Sequence, residues 1–306
     1  MNQQELRAAY ESGAVDKGGF LREMGRYYRI LLGFADLVRG SAISCISLRE
    51  DGVLFEFRDP PMRMWGAQEL RQSAWEAVIF RGYEDFELRT IANLLDNSGV
   101  LVDIGANAGY WSLYLSARFP AAHIIAFEPI PETIDLLRRN IGLNGTANVE
   151  AIPMGLSDSA GILTFYVDPA HTGAATCAQL QHPEPGNVAT QCPVSTLDAV
   201  LEERDDEVQF IKCDVEGAEL NALRGALRTI EKYRPTVFAE LLRKWSARFG
   251  YHPNAVIDLL SDRGYQCFAF ERGRLERCSS ITDQTVSTNF LFVARQAHLE
   301  RMGRSA

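Results

Sequence analysis

The chain has 306 residues, 46% of them hydrophobic and 23% charged, which fits a globular protein with a sizeable buried core. Its formal net charge of −9 argues against a nucleic-acid partner held by basic surface. No apolar run approaches the ~20 residues of a membrane span, and the N-terminus MNQQELRAAYESGAVDKGG has no apolar secretory core, so a cytoplasmic protein is expected.

Residues 1 to about 40 read as helical. YYRILLGFADLV is an amphipathic helix, interrupted by Arg29 and Asp36. SCISLREDGVLFEF alternates on both sides of Glu50-Asp51-Gly52, a hairpin signal, and RDPPMRMWG reads as a loop. QELRQSAWEAVIFRGYEDFELRTIANLLDNSG reads as one or two helices stopping at Gly99. From residue 100 strands and helices alternate. VLVDIG, HIIAFEP, NVEAIPMGLS, ILTFYVD, VQFIKCDVEG, TVFAELL, QCFAFE and TNFLFVAR are expected strands, most of them separated by amphipathic segments. That order implies an α/β protein with a largely parallel sheet and helices on both faces. Residues 168–192, DPAHTGAATCAQLQHPEPGNVATQC, read as a long functional loop. None of the six cysteines forms a C-x-x-C pair, and Cys213 and Cys267 sit in apolar runs, so buried free thiols are expected.

VLVDIGANAGYW, residues 100–111, puts Gly105 and Gly109 where a strand becomes a helix. A buried structural turn explains this, and so does a ligand lying against the backbone. The dinucleotide pattern G-x-G-x-x-G would need glycine at Asn107 and at Tyr110, which disfavours a pyrophosphate and NAD. Asp103, just before the turn, can take an ammonium. Glu128 ends the next strand, where an acid accepts both ribose hydroxyls. S-adenosylmethionine carries all of these groups. Ala106, Asn107 and Tyr110 lie in the turn and are candidate contacts with it.

With these residues in place, VLVDIGANAGYWSLYLS, AFEPIPETIDLLRRNIGLNG, STLDAVL, FIKCDVEGAELNALRGA and TNFLFV resemble the FkbM-type S-adenosylmethionine-dependent methyltransferases. The resemblance covers roughly residues 80 to 295. It implies a Rossmann-like class I methyltransferase sheet of seven strands, the last antiparallel, with helices on both faces. Residues 1–80 form an N-terminal helical and hairpin extension, a lid or dimer element; 81–296 form the methyltransferase domain and 297–306 a tail. The resemblance implies methyl transfer, mostly to hydroxyls of sugars, polysaccharides and polyketide-type metabolites; a homodimer is a further expectation. It also places an adenine contact at Ser157-Asp158, and Tyr83 and Glu84 near the cofactor. A helix-capping role for Asp85 competes with that last assignment.

In FIKCDVEGAE, strand alternation puts Lys212, Asp214 and Glu216 on one face. A structural lysine–acid network is one reading. The other sets Asp214 beside the methionyl part or the acceptor, with Glu216 facing the acceptor hydroxyl and Glu240 as a third acid. Methyl transfer needs mainly alignment of acceptor and methyl, plus a base that removes a proton late. The family often has a histidine soon after the acid at Glu240; Leu241 and Leu242 stand here instead. The three acids can hold Mg²⁺, but no metal-ligand spacing is present, and no metal is expected. His171 in the long loop is either solvated or a substrate contact. With the hairpin residue Trp65 and with His182, it would belong to a lid over the acceptor. N-methylation of an amine or peptide, and a non-catalytic binding module, remain the alternatives.

Overall fold

The computed structural model describes residues 2–66, 73–168, 171–176 and 187–304. Its centre is an eight-stranded sheet. From one edge to the other the strands are Arg274–Arg277, Gln266–Glu271, Asn289–Val293, Thr236–Glu240, Val208–Cys213, Val100–Ile104, His123–Phe127 and Val149–Ile152. The five from Thr236–Glu240 to Val149–Ile152 are parallel, and Asn289–Val293 runs antiparallel to both of its neighbours. Near-continuous apolar runs such as VLVDI and VQFIKC suit strands buried on both faces. One face packs on the helices Glu219–Arg224, Leu227–Tyr233 and Asn254–Ser261 through Leu223, Ile230 and Val256. The other packs on Asp85–Ala92 and Tyr110–Arg118 through Leu88, Ile91, Trp111 and Leu115.

The sheet has eight strands rather than the expected seven because Arg274–Arg277 folds back on Gln266–Glu271. The two-residue turn Arg272-Gly273 has φ of 47° and 75°, the pair of left-handed residues that a tight hairpin needs. NVEAIPMGLS is not one strand. Val149–Ile152 joins the large sheet and Gly155–Leu156 a smaller one, with Pro153, which has no N–H, between them. That smaller sheet runs Gly155–Leu156, Val188–Ser195, Gly161–Asp168, His171–Thr176, so part of the expected 168–192 loop is strand. Cys177 and His182 lie outside the described residues.

The N-terminal segment forms the expected helices, Gln3–Glu11 and Lys17–Val38, and the hairpin Ile43–Arg49 with Gly52–Phe57. RDPPMRMWG is not all loop: Arg63–Trp65 adds a third strand. This small sheet shares the core of the Trp111 face through Ile43, Phe55 and Met64. Residues Gln296–Arg304 form a helix, with buried His298 hydrogen-bonded to Thr236 at 2.8 Å. No helix among the described residues is long and apolar enough to cross a membrane.

Candidate active site

Parallel α/β sheets bind ligands beyond the C-terminal ends of their strands, and that edge gathers the buried charge of this chain. Asp103 and Lys212 are register partners on adjacent strands. They are 0% and 3% exposed. Lys212 Nζ lies 3.3 Å from Asp103 Oδ1 and 3.5 Å from Asp214 Oδ2, and donates to the Gly105 carbonyl at 2.6 Å. Ser112 Oγ donates to Asp103 Oδ2 at 2.6 Å. Burial pulls the Lys212 pKa down, but the charges of Asp103, Asp214 and Glu84 outweigh it and raise the pKa. The expectation that Asp103 takes a ligand ammonium is therefore corrected: the ammonium it meets belongs to Lys212, and it offers a ligand no exposed surface.

Gly105 leaves the strand at φ 76°, and a Cβ there would lie 1.9 Å from the Asp214 carbonyl oxygen. Only glycine fits that approach. The N–H groups of Gly105 and buried Ala106 both donate to the Phe127 carbonyl. Asn107 sits at φ 49°, which asparagine tolerates better than most residues. Its Oδ1 accepts from Ala108 N–H at 2.6 Å and its own N–H donates to Glu128 Oε2 at 3.0 Å. Gly109, at φ 94°, precedes the Tyr110–Arg118 helix. Tyr110 is buried and its hydroxyl donates to the Tyr83 carbonyl at 3.0 Å.

Glu128 follows the neighbouring strand and is 6% exposed. Its Oε1 accepts from Ile130 N–H at 3.0 Å. Burial pushes its pKa up to about 7 despite its two backbone donors. A carboxylate offers about four lone-pair sites, so each oxygen keeps room for a hydroxyl donor. Residues that cradle a ribose diol need this capacity, and the fit is good. Ser157 is buried, with its N–H on the Ser195 carbonyl, whereas the Asp158 carboxylate is exposed and accepts from Ser159 Oγ at 3.1 Å.

Glu84 takes the left-handed φ of 51° and accepts from Trp111 Nε1 at 2.7 Å. Burial, then the Asp214 charge, pushes its pKa up to about 8. The Tyr83 phenol is raised by burial, then by the charges of Glu84 and Asp214. Tyr83 and Glu84 thus lie within electrostatic reach of the acidic strand end. Asp85 does not cap its helix: it pairs with Arg89 at 2.9 Å.

Past Cys213 the chain turns through Asp214-Val215-Glu216-Gly217. Glu216 has φ 52°, and a Cβ on Gly217 would lie 2.7 Å from the Trp245 backbone. Lys212 and Asp214 approach to 3.5 Å, but Asp214 and Glu216 both lie beyond the strand end, so alternation does not place them. Buried Glu219 ties the turn by accepting the N–H groups of Val215 and Gly217 at 3.1 and 2.9 Å, and burial raises its pKa to about 7. Glu240 ends the adjacent strand. Burial, then the charges of Asp214, Glu216 and Glu84, raises its carboxyl well above the usual range. Among the described residues no group of three or more His, Cys, Asp or Glu is placed to hold a metal ion. His171 lies on the His171–Thr176 strand rather than in a loop, and its side chain is outside the described residues.

Several supports escape a reading of the sequence. Asn140 donates to the Ala108 carbonyl at 2.9 Å and accepts from Trp65 N–H at 2.8 Å, joining the glycine turn to the N-terminal sheet. Its only signal is a polar residue on the apolar stripe of the Pro131–Asn144 helix. Trp65, expected at the mouth of a lid, is buried, with the Arg139 guanidinium 4.1 Å from its ring centre. Ser112, Trp111 and Glu219 lie within the quoted motifs, but no spacing shows that they bond Asp103, Glu84 and the Val215–Gly217 turn.

The model of the methyltransferase FkbM domain matches residues 103–267. The chain belongs to the FkbM methyltransferase family. It is 32% identical over 203 residues to methyltransferase sdnD of Sordaria araneosa, covering 57% of this chain and 76% of that protein. It is 27% identical over 193 residues to the hexuronic acid methyltransferase AglP of Haloferax volcanii, covering 62% and 73%. To 31-O-demethyl-FK506 methyltransferase FkbM of Streptomyces tacrolimicus it is 28% identical over 153 residues, covering 41% and 58%. In this FkbM-family methyltransferase the matched segment holds the glycine turn, Glu128 and the acids from Asp214 to Glu240. Tyr83, Glu84 and Asn289 fall outside it.

Proposed function

We propose that this methyltransferase moves the methyl group of S-adenosylmethionine to a hydroxyl of a sugar, polysaccharide or polyketide-type metabolite. The observation that carries the reading is the acidic strand end, where the Asp214 backbone oxygen meets the glycine turn at Gly105 and Glu240 ends the adjacent strand. Bound S-adenosylmethionine would supply an electrophilic methyl on an excellent leaving group. Glu128 would hold the ribose hydroxyls and Asp158 the adenine amino group. Asn107, Gly109, Tyr83 and Glu84 would line the rest of the cofactor, and Asp103, Ala106, Tyr110 and Ser157 would shape it from behind. Lys212 fixes the Gly105 carbonyl and lies 3.5 Å from the Asp214 carboxylate. A carboxylate at this strand end, Asp214 or Glu240, would accept the acceptor's hydroxyl proton as the new bond forms. Glu216 adds charge at the same edge. The relatives named for a hexuronic acid and for a demethylated hydroxyl support an oxygen acceptor.

The acids Glu84, Asp214, Glu216 and Glu240 gathered at this edge would also accept the N–H groups of an amine acceptor, which makes N-methylation the second reading. The test is incubation with S-adenosyl[methyl-¹³C]methionine and a panel of sugars, hydroxylated macrolides and amines. New methoxy carbon signals support O-transfer. N-methyl signals alone would replace it with the second reading, and no product with any acceptor would count against both.

A further inference from the structure

We infer that the cavity between Phe270 and Asn289 is the acceptor subsite, and that it takes the ring of a polyhydroxylated, sugar-like molecule positioned by Asn289. The inference rests on the O-methyltransferase reading and adds where the acceptor sits and what holds it.

The cavity has a volume of ≈ 260 Å³ and is lined by Glu87, Phe270, Glu271, Ser287, Thr288 and Asn289, among others. Its place in the sheet is the first argument. Asn289 is the direct antiparallel partner of Glu240. Such partners project on the same face with Cβ atoms about 4.5–5.5 Å apart. A ligand that touches Asn289 is therefore beside the Asp214–Glu240 pair. A larger cavity of ≈ 470 Å³, lined by Met62, Leu113, Pro120, Asn144 and Asn148 among others, lies at the opposite end of the strands, before His123 and Val149. None of the acids at the candidate site lines it.

The second argument is Asn289 itself. Its Nδ2 donates to Glu87 Oε1 at 3.2 Å, which fixes the amide. Its Oδ1 is buried and has no hydrogen-bond partner among the described residues. An unsatisfied buried acceptor costs about 1–3 kcal/mol, and a hydroxyl donor in the cavity removes that cost. The third argument is the lining. Phe270 gives a ring an apolar contact, Glu87, Glu271 and Thr288 offer acceptors for its hydroxyls, and Arg272 adds a donor. A purely apolar acceptor would leave Asn289 Oδ1 unpaired. Glu87 lies one helical turn past Glu84, so the same short helix reaches both the cofactor side and this cavity.

The test uses the full chain with bound S-adenosylhomocysteine. Saturation-transfer NMR is run with methyl α-D-glucopyranoside, methyl α-D-galactopyranoside and trans-cyclohexane-1,2-diol. At least one probe should bind through its ring protons. Asn289→Leu should weaken that binding roughly five- to tenfold, as expected for one lost hydrogen bond. Val286, 79% exposed, also lines the cavity, and Val286→Trp should abolish binding by filling the mouth. Unchanged S-adenosylhomocysteine affinity in both variants reports an intact fold. Ring binding that survives both substitutions, or no binding by any probe to a chain that holds S-adenosylhomocysteine, overturns the subsite alone. A chain that does not bind S-adenosylhomocysteine overturns the underlying reading as well.

Discussion

Gly105 and Asp214 meet backbone to backbone, so closely that a Cβ on Gly105 would lie 1.9 Å from the Asp214 carbonyl oxygen. Lys212 donates to the Gly105 carbonyl from within the sheet. The glycine turn and the acidic strand end therefore form one unit, and a shift in either displaces the other.

Gly105→Ala should be the more damaging of the two glycine substitutions. The obstacle at Gly105 is a backbone oxygen inside a sheet, which cannot yield. At Gly109 a Cβ would meet Leu137 Cδ1 at 2.4 Å, the end of a side chain that can turn aside. Gly109→Ala should cost about 1–2 kcal/mol for its left-handed backbone. Gly105→Ala should cost more and lower S-adenosylhomocysteine affinity at least tenfold. Urea unfolding and calorimetry check both values, and equal effects would count against the contact.

Lys212→Met should destabilise the fold by about 3–5 kcal/mol, because it leaves the Asp103 charge buried without its partner. Adding Asp103→Asn should recover part of that loss. A double variant no more stable than Lys212→Met would show that packing, not the ion pair, decides. Denaturant midpoints measure it.

The pH dependence of stability follows from four raised carboxyls. Glu128 and Glu219 are raised to about 7 and Glu84 to about 8 from an ordinary 4.5, and Glu240 is raised as well. Between 4.5 and their folded values, the native state binds more protons than the unfolded chain. Stability therefore falls as pH rises through this window. His298 works in the other direction, since burial lowers it to about 4, but above pH 6.5 it is neutral in both states. From pH 6.5 to 8 the free protein should lose stability, by at most about 1.4 kcal/mol per pH unit for each group. Glu84→Gln should flatten the curve between pH 7 and 8. A rising curve in wild type would contradict the assignment.

Removing either Asp214 or Glu240 should affect chemistry more than binding. Asp214→Asn and Glu240→Gln should each lower the methyl-transfer rate about 10²–10⁴-fold. S-adenosylhomocysteine affinity should change only a few-fold in Glu240→Gln. Single-turnover rates on the first acceptor found measure this, and a rate within threefold of wild type would remove the pair from the mechanism.

The parallel strands were legible because strands buried on both faces must be almost wholly apolar, as VLVDI and HIIAF are. The glycine turn was legible because no other residue type can pass so close to a backbone oxygen. What stayed hidden depends on partners far apart in the chain. Nothing local to Asp103 says that Lys212, 109 positions later, will take its carboxylate through strand register. Asn289 acquires its meaning only from its pairing with Glu240. Arg63–Trp65 was hidden for the same reason, since its strand exists only beside Gly52–Phe57. Arg272-Gly273 could have been read as a hairpin turn, a two-residue loop that ends in glycine.

Titration calorimetry of the purified chain with S-adenosylhomocysteine, set beside Glu128→Ala and beside NAD, tests the central claim most directly. The account expects micromolar binding by wild type, loss of at least tenfold in Glu128→Ala and no heat with NAD. Full affinity in Glu128→Ala, or a preference for NAD, would contradict it.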